Sequence, residues 1–266
     1  MPTAFDSGLG KNFTESSCPT FIETFLDDDE FIQCYPFSFY LQTSNSFFQI
    51  IKQGAFKISS TMDEICSVNA TACRAVMDSY GEQLVNSSNC AADYELQNPL
   101  VTEAYNAFTS YYMLYTTGCL QSEEGSYCYV ESATNTTSVA DSYLYYLPLD
   151  VSLPNETDPT CSTCSQNIMS IFANYAGNSS LAISRTYLSA ADVIDDTCGS
   201  SFVSTSVTTT DSTSAAESSA IAAAAATAST STSSGAASAH TFTSHALLAS
   251  SCIISIGLAL SSVHSL

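Results

Sequence analysis

The residues best suited to chemistry in this 266-residue sequence are cysteines and carboxylates. Cys161-Ser162-Thr163-Cys164 has the spacing of a redox dithiol or of half a zinc site. Eight more cysteines share the first 200 residues with it: Cys18, Cys34, Cys66, Cys73, Cys90, Cys119, Cys128 and Cys198. No second CxxC completes a zinc site, and no strand-rich pattern of the thioredoxin kind surrounds the first. We therefore read both cysteines as structural half-cystines.

The carboxylates offer two further chemistries. Asp27-Asp28-Asp29-Glu30 would suit calcium only in a loop with alternating acidic positions and a turn glycine, neither of which is present, so we expect a solvated helix edge. We read Asp195-Asp196 in the same way. A glycoside hydrolase needs one carboxylic acid and one carboxylate, and Glu123, Glu124 and Glu131 near Cys128 are candidates that nothing singles out. Asp6-Ser7-Gly8 has the letters of an aspartic-protease triplet but occurs once, without flanking apolar strands.

Other classes are excluded by what the first 200 residues lack. His240, His245 and His264 all lie beyond them, which removes a Ser-His-Asp triad, a Cys-His pair and imidazole-bound zinc. The residues point to no cofactor and no metal. Of 26 acidic residues, 24 precede residue 204 together with all five Lys and Arg, giving that region a formal net charge of −19. Nucleic acid and anionic membranes are poor partners for such a surface, because both are bound through clustered cations.

Ten cysteines fit five disulfides and an oxidising compartment, although about 945 pairings are open and spacing chooses none of them. N-glycosylation sequons occur at Asn12, Asn69, Asn86, Asn135, Asn155 and Asn178, and each would mark the surface. The opening residues MPTAFDSGLGKNFTESSCPT contain no basic stretch followed by an apolar run, so we expect a secretion leader to precede Met1. At the other end, Ser234-Gly235-Ala236 is followed by a polar spacer and a moderately apolar stretch at 246–260, the layout of a glycosylphosphatidylinositol (GPI) attachment signal with Ser234 as the favoured site. A membrane span is the alternative; Ser250, Ser251 and Ser255 interrupt the run, and no Lys or Arg follows it. Cys252 would leave with the discarded tail.

Three regions then organise the chain: a cysteine-rich ectodomain at 1–203, a Ser/Thr/Ala-rich low-complexity stalk and spacer at 204–245, and an apolar tail at 246–266. The stalk has too few large side chains to offset the entropy of ordering. Within the ectodomain the period is helical. Phe21, Ile22, Phe25 and Leu26 share one face. Val101, Ala104, Tyr105, Phe108, Tyr112 and Tyr115 share another, in a helix started by Asn98 and Pro99. Cys73, Val76, Met77, Tyr80 and Leu84 form a third; Cys161, Cys164, Ile168, Ile171, Phe172 and Tyr175 a fourth; Ile183, Tyr187, Leu188, Ala191 and Ile194 a fifth. The stretch FYLQTSNSFFQIIKQ predicts one helix more. In YLYYLPLDVSLPNETDPT three prolines predict an extended strap, packed by Tyr143, Tyr145 and Tyr146 or else offering them to a ligand. The fold class is mainly α, an irregular disulfide-stapled bundle of about six to eight helices with a Pro-broken strap; a mixed α+β fold is the alternative.

The segments LQTSNSFFQ, CAADYELQNPLVTEAYN, YCYVESATNTTSVADSYLYYLPL and CSTCSQNIMSIFANYAGN, with the stalk and tail behind them, resemble an uncharacterised family of fungal surface proteins whose ectodomain is a domain of unknown function. The resemblance covers residues 4–205. It implies secretion and a GPI anchor, and it carries over no catalytic residue. The expected function is a non-catalytic structural or binding ectodomain on the outer face of the plasma membrane or in the cell wall. Its expected partners are the membrane through the lipid and a wall glycan or extracellular protein. The alternative is a wall-glycan hydrolase or transferase using paired carboxylates.

Overall fold

The computed structural model describes residues 1–154 and 157–207. Asn155, Ser234, Cys252, the three histidines, most of the stalk and the apolar tail lie outside the described residues. The described chain is helical: α1 Ser17–Leu26, α2 Asp29–Gln33, α3 Phe37–Thr43, α4 Asn45–Ile51, α5 Ala55–Cys66, α6 Ala70–Leu84, α7 Ala91–Glu95, α8 Pro99–Gly118, α9 Cys128–Thr134, α10 Ala140–Tyr143, α11 Thr163–Ala176 and α12 Ile183–Cys198, with a 3₁₀ turn at Leu144–Leu149. An isolated bridge between Gln121 and Tyr127 is the one β pairing among the described residues.

Among the described residues twelve α-helices replace the expected six to eight, in part because short side chains cut the longer apolar runs. Ser44 is extended and its hydroxyl accepts from the Phe47 N–H at 3.1 Å, so the single helix expected over FYLQTSNSFFQIIKQ becomes α3 and α4. Asp28 does the same between α1 and α2, accepting from the N–H groups of Glu30 and Phe31 at 2.6 and 3.3 Å. The Asp27–Glu30 run therefore spans the junction of two helices, with Asp28 as the cap and Asp27, Asp29 and Glu30 exposed as expected.

At the centre stands α8, 20 residues and about 30 Å long. It begins where Asn98 accepts from the Leu100 N–H with Pro99 behind it, and it packs on α3, α6 and the 3₁₀ turn. Phe108 on α8 meets Phe25, Phe39 and Tyr80 with ring centroids 4.7–6.0 Å apart. Phe37, Tyr129 and Tyr145 form a second aromatic group, at 4.8–6.2 Å.

The strap needs correcting in its first half. Residues 140–149 are helical turns, and among the described residues irregular chain runs over 151–154 and 157–160. Pro148 sits inside the 3₁₀ turn, and side chains of neighbouring helices donate to the carbonyls at the end of the turn. Ser110 Oγ donates to the Pro148 carbonyl at 2.7 Å, Thr186 Oγ1 to that of Leu147 at 2.8 Å, and Gln42 Nε2 to that of Leu149 at 3.3 Å. This accounts for the burial of Ser110 and Thr186 in otherwise apolar helices. Leu188, assigned above to the apolar face of α12, is 46% exposed.

All ten ectodomain cysteines are paired, as Cys18–Cys90, Cys34–Cys73, Cys66–Cys119, Cys128–Cys164 and Cys161–Cys198. The pairs fall into two sets along the chain: within 18–119 the Cys34–Cys73 loop is nested in Cys18–Cys90 and Cys66–Cys119 overlaps both, and within 128–198 the two loops overlap. Separations of 36–72 residues correspond to about 4 kcal/mol per bridge in the chain-entropy picture.

Candidate functional site

Cys161 and Cys164 bond outward to different partners, so the CxxC is neither a dithiol pair nor a zinc half-site. Instead, Cys164 pulls the start of α11 against α9 through Cys128. Between them opens a cleft of about 320 Å³ lined by Glu131, Ser132, Asn135, Asp141, Thr160 and Ser162, among others. It brings two carboxylates to one place.

Asp141 is buried and its oxygens are committed. Oδ1 accepts from the Thr160 N–H at 2.7 Å and the Ser138 hydroxyl at 3.1 Å, and Oδ2 accepts from Asn135 Nδ2 at 2.8 Å. A carboxylate so held ties α9, α10 and the Pro159–Ser162 stretch together, with three of its roughly four acceptor sites taken by the protein's own donors. Glu131 is exposed; its Oε1 accepts from Ser122 Oγ at 2.5 Å, and its Oε2 lies 3.9 Å from the Cys164 sulfur. Glu123 and Glu124 stay exposed in the hairpin-like turn at 122–126, outside the cleft.

A second cleft of about 340 Å³ lies between the N-terminal segment and the α3–α4 junction, with Phe5, Gln42, Phe48 and Leu100 in its wall. Glu103 also lines it, and burial pushes its carboxyl up. Asp6 of the Asp-Ser-Gly triplet flanks this region as a tether: its two oxygens accept from the N–H groups of Asn45 and Ser46, each at 2.7 Å.

The same use of carboxylates recurs. Asp93, 2% exposed, accepts from the N–H groups of Thr14 and Glu15 at 2.8 and 3.4 Å and from Asn98 Nδ2 at 3.3 Å. Asp195 accepts from Ser201 and Val203 N–H at 3.0 and 2.9 Å, so it organises the chain after α12 rather than lining a solvated edge. With so few cations available, backbone N–H groups serve as the counter-groups. Ion pairs accompany them, among them Arg185–Asp150 at 2.9 Å and Arg74–Asp78 at 3.4 Å, the Arg74 guanidinium also lying 5.0 Å from the Tyr112 ring centre. Burial and the coupled hydrogen bond to Asp28 push the Tyr80 phenol up to about 12.

Of the tyrosines offered above to a ligand, Tyr145 is fully buried and Tyr146 partly so; Tyr143 is 38% exposed. Asn12, Asn69 and Asn86 are exposed, and Asn135 and Asn178 half-buried. Among the described residues no cluster of three or more Cys, Asp, Glu or His side chains is placed to hold a metal, and no helix is long and apolar enough to cross a membrane. Asp141 and its ring of donors went unnoticed in the sequence. The available signal was Ser138-Val-Ala-Asp141 directly after Asn135-Thr-Thr, an Asn turn running into a Ser-x-x-Asp spacing.

No curated protein and no solved structure matches the chain. One family model does, across residues 1–207 and therefore across the whole helical domain with its ten paired cysteines and both clefts: the chain belongs to the family of the domain of unknown function DUF7729.

Proposed function

We propose that this protein is a secreted, GPI-anchored surface protein, fungal in origin, whose ectodomain is a non-catalytic structural or binding module projected by a glycosylated Ser/Thr/Ala stalk. The observation that carries this reading is the complete pairing of ten cysteines into five long-range disulfides, a pattern that belongs to oxidising compartments. The six sequons and the small-residue, spacer and apolar-tail sequence beginning at Ser234 support it from the sequence side. The non-catalytic part rests on Asp141, whose oxygens already hold three donors. Phosphatidylinositol-specific phospholipase C should release the full-length chain, expressed behind a secretion leader, from washed membranes. Protein that stays bound although a known GPI protein in the same membranes is released would overturn the anchor.

The second reading, a wall-glycan hydrolase or transferase, is favoured by one observation, the shared cleft of Glu131 and Asp141. It requires hydrolysis or transfer on wall polysaccharide that Glu131→Gln abolishes. Under our reading no new reducing ends appear with either protein.

A further inference from the structure

Three sequons fold into one local turn. At Asn86, Asn135 and Asn178 the side-chain Oδ1 accepts from both the N–H and the hydroxyl of the residue two positions on, at 3.0 and 2.9 Å, 2.9 and 2.7 Å, and 3.0 and 2.6 Å respectively. What separates them is Nδ2, the atom that an N-glycan modifies. Among the described residues Nδ2 of Asn86 and of Asn178 makes no hydrogen bond with the protein. Nδ2 of Asn135 makes two, to Asp141 Oδ2 at 2.8 Å and to Thr160 Oγ1 at 3.2 Å, which commits both of its protons.

We infer that Asn86 and Asn178 are glycan acceptors of this domain, whereas Asn135 is a latch that stays bare in the exported protein. This rests on the proposed passage through a glycosylating secretory pathway. Glycan transfer forms an Nδ2–C1 bond, breaks the C1–O bond to a lipid-pyrophosphate donor and removes one Nδ2 proton, with the lipid pyrophosphate leaving. At Asn86 and Asn178 that proton holds no protein acceptor. At Asn135 its loss takes a donor from Asp141 or from Thr160 and puts a sugar between α9 and the Pro159–Ser162 stretch, where Asp141 is 8% exposed. Chains modified there would lose the connection that orders the cleft and would be retained rather than exported.

Two measurements test this. In the first, the full chain is exported from a eukaryotic host, its glycans are released enzymatically in ¹⁸O-water, and the peptides are mapped by mass spectrometry. Label is expected at Asn86 and Asn178 and not at Asn135; label at Asn135 as high as at Asn86, or its absence from Asn86 and Asn178 while other sequons carry it, overturns the inference. Absence of label from every sequon would sink the secretory reading and with it the acceptor assignment, leaving the latch to the second measurement. There, unglycosylated, fully oxidised protein carries N135D or N178D. Each substitution keeps Oδ1, removes the Nδ2 donor and adds one negative charge, so the pair compares an Nδ2 that faces Asp141 and Thr160 with one that bonds nothing among the described residues. N135D sets a second carboxylate against Asp141 and should lower the thermal midpoint by about 5–10 °C at pH 7, less at pH 4, while N178D shifts it by no more than about 2 °C. Equal midpoints would refute the latch whether or not the chain carries sugar.

Discussion

Gly118→Ala sets helix propensity against packing, and the structure decides the sign. Alanine is about 1 kcal/mol better than glycine in a helix interior, so the sequence alone predicts stabilisation at the end of α8. A Cβ at Gly118, however, would lie 2.8 Å from Phe37 Cε1, 2.9 Å from Phe37 Cδ1 and 3.4 Å from Met62 Cε. Ordinary contact begins near 3.4 Å, so the ring must retreat by about 0.6 Å. It has little room: Phe37 is 1% exposed and is held edge-on by Tyr129 at 4.8 Å, Phe47 at 5.9 Å and Tyr145 at 6.2 Å. The helix end cannot back away freely either, since Cys119 is bonded to Cys66. Overpacking of this kind costs about 1–3 kcal/mol, which exceeds what propensity returns near a helix terminus. The full-length oxidised protein should lose about 1–2 kcal/mol, a fall of about 2–8 °C in the thermal midpoint, read by calorimetry and by urea unfolding. Phe37→Leu should itself destabilise but remove most of the added cost of Gly118→Ala, a coupling of about 1 kcal/mol. A higher midpoint for Gly118→Ala in the unaltered background would refute the packing argument.

The carboxylates give two further predictions. Asp141→Asn cannot accept from all three of its donors, and should cost about 2–3 kcal/mol in urea unfolding, whereas Glu131→Gln, at an exposed position, should stay within about 0.5 kcal/mol. Burial raises the Glu103 carboxyl above its ordinary 4.5, so its ionised form is a penalty at neutral pH that is relieved as pH falls through the raised value and is gone below about 4.5. Glu103→Gln should therefore stabilise at pH 7 and make no difference near pH 4. Asp28, Asp6 and Asp93 act oppositely. The Tyr80 hydroxyl and backbone N–H groups lower Asp28; at Asp6 and Asp93 burial raises the carboxyl, but the N–H and side-chain donors outweigh it, leaving all three below 3.8. Their contribution is full above that value and is lost as pH falls through the depressed ones. Stability measured from pH 7 to pH 2 should thus hold or rise towards pH 4 before it drops.

The start of α8 was legible because Asn98-Pro99 is a cap signal that needs no tertiary partner, and the faces of α1 and α6 were legible from period alone. The cuts at Ser44 and Asp28 were not, since a Ser or Asp inside an apolar run is read as an ordinary helical residue until its side chain is seen to accept from a later N–H. The 3₁₀ turn at 144–149 is hidden from the sequence for a tertiary reason: Pro148 signals a break in helical structure, yet Ser110, Thr186 and Gln42 supply the donors that let the turn remain buried. The disulfide pairing and the Asp141 cleft join segments 19–72 residues apart, and no local pattern encodes which segments meet.

The most direct test of an extracellular, disulfide-stapled domain is to alkylate the exported protein without reduction, digest it and map its cross-linked peptides by mass spectrometry. The structure predicts Cys18–Cys90, Cys34–Cys73, Cys66–Cys119, Cys128–Cys164 and Cys161–Cys198, with no alkylated cysteine among these ten. Free thiols among them, or a bond between Cys161 and Cys164, would contradict it.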